Sequence, residues 1–142
     1  MRIPRPVNDV VLRLLTHRRL RMGRALVGLD ITGRRSGRHY RFPVQYAEDR
    51  AGLVVVPGQP ATKTWWRNLA DRPAEIGILL DGRWQRATAQ VLQPGDLAYA
   101  VACATYQQRY PRPMIARGPI VRVDPVEKRH ATAEQTERIE HV

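Results

Sequence analysis

The sequence predicts a mainly β protein with flanking helices, folded as a Greek-key barrel, closed or split. Three observations lead there. Six segments, at 25–31, 40–47, 52–56, 74–80, 83–92 and 119–123, are rich in β-branched residues and partly alternate apolar with polar. Several connections are short: 49–52 is a natural turn, and Asp81-Gly82 suits a tight hairpin between two strands. At 142 residues the chain makes one domain, long enough for a single core with a groove left for a ligand.

Before the first strand, Val7, Val10, Val11, Leu14 and Leu15 recur at helical spacing. Asn8 is placed as an early cap, and Arg13, His17, Arg18, Arg19 and Arg21 follow. Residues 1–24 therefore read as a basic amphipathic helix. Two readings stay open: its stripe packs on the barrel and leaves the arginines in water, or it docks on an anionic membrane surface. A short helix is expected at 64–70, capped by Thr62 or Thr64 and stopped by Pro73. A longer one is expected at 95–109, with Asp96 at its start and Leu97, Ala100, Val101 and Ala104 facing inward. The barrel domain then spans 25–125, and the polar tail 126–142 is a terminal helix or disordered.

The formal net charge of +11 is concentrated at one end. Residues 1–41 hold eleven arginines against Asp9 and Asp30, a net of +9, which leaves +2 for the rest. Such a basic third raises nucleic acid as a partner, but no aromatic residues interleave with it as stacking platforms and no recognition motif is present. There is no apolar run of membrane-spanning length and no signal-peptide pattern, so a cytoplasmic protein is expected. Cys103 cannot form an internal disulfide and reads as a buried core thiol. His17, His39, His130 and His141 are scattered, so no metal site is expected.

The most informative segment is Thr32-Gly33-Arg34-Arg35-Ser36-Gly37-Arg38, where the first strand ends. Its glycines can take positive φ and turn successive N–H groups toward an anion, and its arginines match phosphate oxygens in bidentate fashion. The same pattern also describes a solvated hairpin tip. It matches no G-x-G-x-x-G, phosphate-loop or G-x-S-x-G fingerprint. A second run, Lys63-Thr64-Trp65-Trp66-Arg67-Asn68-Leu69, follows about twenty-five residues later. Adjacent tryptophans on a helix point about 100° apart, so at most one sees a ligand while the other packs. Asn68, one turn after Trp65, is placed to fix the neighbouring loop.

In that order and spacing, the two runs resemble the split-barrel flavin and deazaflavin oxidoreductases, specifically the deazaflavin (F420)-dependent nitroreductases or F420H2-dependent quinone reductases. Pro43, the strand 53–56, Gly58, the tyrosines Tyr99, Tyr106 and Tyr110, and the run 117–121 extend the similarity over most of the chain. The resemblance implies an FMN-binding-like split barrel and a cofactor site at Thr32, Gly33, Arg34, Arg35, Ser36, Gly37, Arg38, Arg41, Pro43, Gly58, Lys63, Trp65 and Asn68. It implies F420 as cofactor, with FMN as the alternative, and hydride transfer to a quinone, an enone or a nitro-aromatic acceptor. Tyr106 or Tyr110 would donate a proton to the product, and the protein would be a monomer or homodimer; for the first helix, peripheral membrane contact stays open beside packing on the barrel. Two departures stand out. Tyr40 occupies the position of an arginine in S-G-x-x-R, flanked here by Arg38 and Arg41. The run Val55-Val56-Pro57-Gly58-Gln59 lacks the serine and lysine of A-S-K-G-G. Those absences favour an alternative, a non-catalytic member of the same fold that binds lipid or flavin.

Overall fold

The structure is a computed structural model and describes residues 5–15, 26–58, 65–111 and 118–126, with side chains described for 9–14 of the first segment. Its elements in chain order are α1 (Arg5–Leu15), β1 (Leu26–Thr32), β2 (His39–Gln45), β3 (Ala47–Asp49), β4 (Gly52–Val55), a 3₁₀ helix (Trp65–Leu69), β5 (Ala74–Leu80), β6 (Arg83–Leu92), α2 (Leu97–Arg109) and β7 (Ile120–Pro125). The seven strands form one antiparallel sheet in the order β2-β1-β5-β6-β7-β4-β3. Its two edge strands, β2 and β3, are separated in sequence by Tyr46 alone. A sheet whose edges are consecutive in the chain must curl back on itself, and the result is a split barrel.

Alternation along each strand then assigns an inside and an outside. Val27, Leu29 and Ile31 of β1, Leu53 and Val55 of β4, Ile76 and Ile78 of β5, Ala87 and Ala89 of β6, and Val121 and Val123 of β7 form the interior cluster, with Tyr46 and Leu69. The small alanines of β6 leave room for the large residues facing them. The residues between these point outward and are covered in two places. Leu12 of α1 packs with Leu79 over Gly28, where a Cβ would lie 2.8 Å from Leu12 and 2.9 Å from Leu79. Only glycine allows the helix this close. Around the barrel, α2 covers Val54, Leu92 and Ile120 with Ala102 and with the partly buried Tyr99, Cys103 and Tyr106.

A polar knot fastens α2. Arg122, 8% exposed, donates from Nη1 to Asp49 Oδ1 at 2.7 Å, and the Thr105 hydroxyl donates to Asp49 Oδ2 at 2.9 Å. The backbone N–H groups of Ala51 and Gly52 also donate to Asp49. Burial opposes the charge on Asp49, but these donors outweigh it and hold its carboxyl below the usual range.

Several expectations are corrected. The expected strand 40–47 is two strands, because the chain breaks at Tyr46, whose ring enters the core as the edge changes; the described residues thus hold seven strands where six were expected. The helix after residue 64 is 3₁₀. Helix α1 starts at Arg5, so Asn8 lies inside it and does not cap it. Val10 and Leu14, expected on its packed stripe, are 55% and 37% exposed, and Leu12 with Val11 makes the contact instead. In α2, Leu97 and Val101 are 80% and 47% exposed and Ala100 and Ala104 are also exposed, so the helix packs by Tyr99, Ala102, Cys103 and Tyr106. The tyrosine face wins because each ring buries more area than an alanine and its hydroxyl finds a partner, as when Tyr99 donates to Gly118 O at 2.7 Å. Cys103 is half-buried, with its thiol pushed up by burial. The hairpin at Asp81-Gly82 forms as expected, both residues at positive φ of 53° and 74°. The tail beyond Val126 lies outside the described residues.

Candidate functional site

Beyond Asp30 the pairing of β1 with β5 ends. The space that opens there is roofed by the 3₁₀ helix and the residues after it. It is a cavity of about 460 Å³ lined by Ile31, Thr32, Arg34, Asn68, Leu69, Asp71, Arg72, Ala74, Glu75 and Ile76. Ile31, Leu69, Ala74 and Ile76 supply an apolar wall, and the remaining six supply polar and charged groups. That size and mixture suit an aromatic ligand with an anionic substituent.

The turn between β1 and β2 forms one rim. Gly33 N–H donates to Arg38 O at 2.8 Å and Gly37 N–H to Gly33 O at 3.0 Å, while Arg38 N–H donates to Ser36 Oγ at 3.2 Å. Gly37 sits at φ +66°, and a Cβ on Gly33 would lie 2.9 Å from Ser36 Oγ and 3.0 Å from the Tyr40 ring. The turn favours glycine at 37 for its positive φ, and at 33 a side chain would crowd Ser36 and Tyr40. Of the N–H groups expected to converge on an anion, those of Gly33, Arg34, Gly37 and Arg38 are already bonded within the protein. Recognition of an anion falls to side chains.

Asn68 joins the two sequence runs. Its Oδ1 accepts the Arg34 N–H at 3.0 Å, and its Nδ2 donates to Trp65 O at 3.0 Å. This is the loop-fixing role its spacing predicts, carried out across thirty-four residues of sequence. Trp65 lies with its ring centroid 5.3 Å from that of Phe42, and both tryptophans pack against the interior cluster. The Arg34 guanidinium is paired with Asp71. Among the described residues Arg35, Arg38 and Arg72 make no ion pair.

Other residues expected at the site lie elsewhere. Asp30, Arg41 and Pro43 are on the outer face of the sheet, since their ladder partners share the face of Gly28. There Arg41 Nε donates to Asp30 Oδ2 at 2.9 Å and the guanidinium lies 4.9 Å from the centre of the Trp84 ring. His39 Nδ1 is 2.9 Å from Asp30 Oδ1. Burial disfavours the Asp30 charge, but His39 and Arg41 outweigh it and keep its carboxyl low. Gly58 is exposed, at the same end of the sheet as the turn. Lys63, Thr62 and Thr64 lie outside the described residues.

Tyr106 and Tyr110 are at the opposite end of the barrel. The Tyr106 hydroxyl lies 3.5 Å from Gln45 Oε1, and Tyr110 donates to Tyr46 O at 2.7 Å. The β1–β2 ladder runs from Thr32↔His39 to Leu26↔Gln45, so this corner is about 20 Å from the turn. Burial pushes the Tyr106 phenol up, and pushes that of neighbouring Tyr46 up to about 12 with help from Glu48 and Asp81. Asp71, Arg72 and Glu75 were not legible as site residues. Charged residues just before or at the start of a strand are ordinary surface composition, and only the break in β1–β5 pairing brings them beside a cavity.

The family model for F420H(2)-dependent quinone reductase matches residues 13–112. The chain belongs to this family. It is a family of oxidoreductases that depend on reduced F420, and the matched span contains the turn, the 3₁₀ helix and the whole cavity. No curated protein matches. Among solved structures, the heme storage protein HutZ from Vibrio cholerae superposes with a TM-score of 0.54 at 12% identity, over 82% of this chain and 89% of that one. A protein of unknown function from Agrobacterium tumefaciens aligns at 16% identity and a TM-score of 0.48, over 87% of this chain and 57% of that one. HutZ supports the split-barrel fold. As a member of the quinone reductase family, this chain has groups of the right kind for F420: an apolar wall for a ring system and arginines for its anionic tail. Among the described residues no helix is long and apolar enough to cross a membrane.

Proposed function

We propose that this protein transfers a hydride from reduced F420 to a quinone, an enone or a nitro-aromatic acceptor, with the cofactor bound at the cavity between the β1–β2 turn and the 3₁₀ helix. The observation that carries the reading is the Asn68 clamp. It brings the T-x-G-R-R-S-G turn and the W-x-x-N-L helix onto one cavity with arginines at its rim. F420, when bound, supplies the hydride chemistry. The chain's own part is to bind, orient and shield. Ile31, Leu69 and Ile76 exclude water from the apolar wall, and the rim arginines hold the anionic end. FMN is the alternative cofactor, because it offers the same two features.

In this reading neither Tyr106 nor Tyr110 reaches an acceptor in the cavity, because both stand at the other end of the barrel, about 20 Å from the turn. Exposed Val10 and Leu14, one turn apart on α1, fit a peripheral membrane contact that would bring the enzyme to a lipid-soluble quinone. Cosedimentation with anionic vesicles tests that contact. The function is tested by titrating the protein with F420 and with FMN, using Arg35→Ala as a control. Micromolar F420 binding weakened by that substitution supports the reading. Binding of neither cofactor overturns it, and mass spectrometry of extracted ligand then tests the lipid-binding alternative.

A further inference from the structure

We propose that Arg72 is the residue that recognises the anionic tail of the cofactor in this cavity, and that Asp71 tunes the site by competing with that tail for Arg34. The inference rests on the F420 reading and adds two residues to it. Four charged side chains line the cavity. Glu75 is held by Arg86, with hydrogen bonds of 2.6 and 2.9 Å from Nε and Nη2, in a bidentate pair. Asp71 is paired with Arg34. Arg72 is therefore the lining cation without an ion pair among the described residues.

The turn beside it has little backbone to offer, because four of its N–H groups, those of Gly33, Arg34, Gly37 and Arg38, are taken. A phosphate entering the cavity meets Arg72 first as its partner. It must share Arg34 with Asp71 or displace it, and the Asp71 side chain is 76% exposed against 44% for Arg34. An exposed pair of this kind is weak and exchanges readily. Asp71 thus acts as a stand-in anion: it keeps Arg34 aimed at the rim when no ligand is present and opposes ligands too weakly charged to displace it.

The test uses two ligands that differ in the tail, F420 and its deazaflavin riboside core without phosphate, titrated by fluorescence into wild type, Arg72→Ala, Arg72→Lys and Asp71→Asn. Both positions are exposed, so the variants are expected to fold with unchanged Tm. Arg72→Ala weakens F420 binding about tenfold or more, as loss of a charge-assisted phosphate contact should. Arg72→Lys recovers part of it, since lysine keeps the charge without the planar fork. Asp71→Asn tightens F420 binding several-fold by freeing Arg34. None of the three changes binding of the riboside. Equal effects on both ligands, or none on F420, overturn the roles of Arg72 and Asp71 while leaving the F420 reading intact. Failure of wild type to bind either ligand overturns both.

Discussion

Asn68→Ala is the perturbation that best separates architecture from ligand contact at this site. Asn68 makes two hydrogen bonds of 3.0 Å, one accepted from the Arg34 N–H and one donated to Trp65 O. Each contributes about 1 kcal/mol net, so removing both costs about 2 kcal/mol. For a domain of this size about 3–4 °C of Tm follows each kcal/mol, which sets the expected loss at about 6–8 °C. Asn68→Asp keeps an acceptor for Arg34 but has no proton for Trp65 O, so it should lose about half as much. Because the clamp ties the turn to the 3₁₀ helix, F420 affinity should fall along with Tm in the same order, wild type, Asp, Ala. Thermal unfolding by circular dichroism and a fluorescence titration read the two quantities. A loss of affinity at unchanged Tm would mean that Asn68 touches the ligand and does not act through the turn; no change in either would refute the clamp.

Four other expectations follow from the fold. Arg122→Ala should cost about 3 kcal/mol in urea unfolding, because it leaves the Asp49 carboxylate half-buried under α2 without its cation, and Asp49→Asn in the same chain should recover part of the loss. Asp30 and Asp49 both titrate below their ordinary values. Their contribution to stability is therefore complete above the unfolded carboxyl value near 4, and is lost as pH falls from there through the folded values; a Tm-against-pH curve should drop below about pH 4, less steeply in Asp49→Asn. The Tyr46 phenol, raised to about 12, gives stability that is complete below the unfolded value near 10 and is lost as pH climbs through 12. Ultraviolet titration should show a late-ionising tyrosine that Tyr46→Phe removes. Gly28→Ala should displace α1, since its Cβ would come within 2.9 Å of both Leu12 and Leu79; an unchanged Tm and unchanged protease resistance of α1 would refute that packing.

Much of the fold was legible because strand patterning and turn chemistry are local. Residues 74–80 and 83–92, joined by Asp81-Gly82, coincide with β5 and β6 to the residue. The helices were less legible in one respect, the choice of face. In α1 and α2 the stripes of Val and Leu at helical spacing suggested burial, yet Leu12 with Val11, and the tyrosine side of α2, meet the sheet. Two facts outside each helix decide this. Gly28 offers a hollow that admits one leucine, and Gly118 O and Tyr46 O offer acceptors that a buried tyrosine needs. Neither is encoded in the helix that responds to it. The break at Tyr46 is hidden for the same reason, since a strand leaving one edge of a sheet for the other looks like one continuous strand until the sheet is closed.

The candidate site was legible as a set of arginines but not as a distribution of charge. Composition places eleven arginines before residue 42, and the turn alone holds three in seven positions. Counting them suggests a strongly cationic pocket. The structure neutralises selectively: Asp71 takes Arg34, Asp30 takes Arg41 on the outer face, and Glu75 is withheld from the cavity by Arg86. Each of these carboxylates is distant in sequence from its arginine, by thirty-seven, eleven and eleven positions. A local motif therefore names the cations that can be near a ligand, while strand register determines which of them a ligand can use. Arg72 belongs to no motif and still emerges as the lining cation without a described partner, because β5 begins two residues later and its pairing with β6 has already satisfied Glu75. The affinity of the site for an anion should accordingly track substitutions at the carboxylates as closely as those at the arginines.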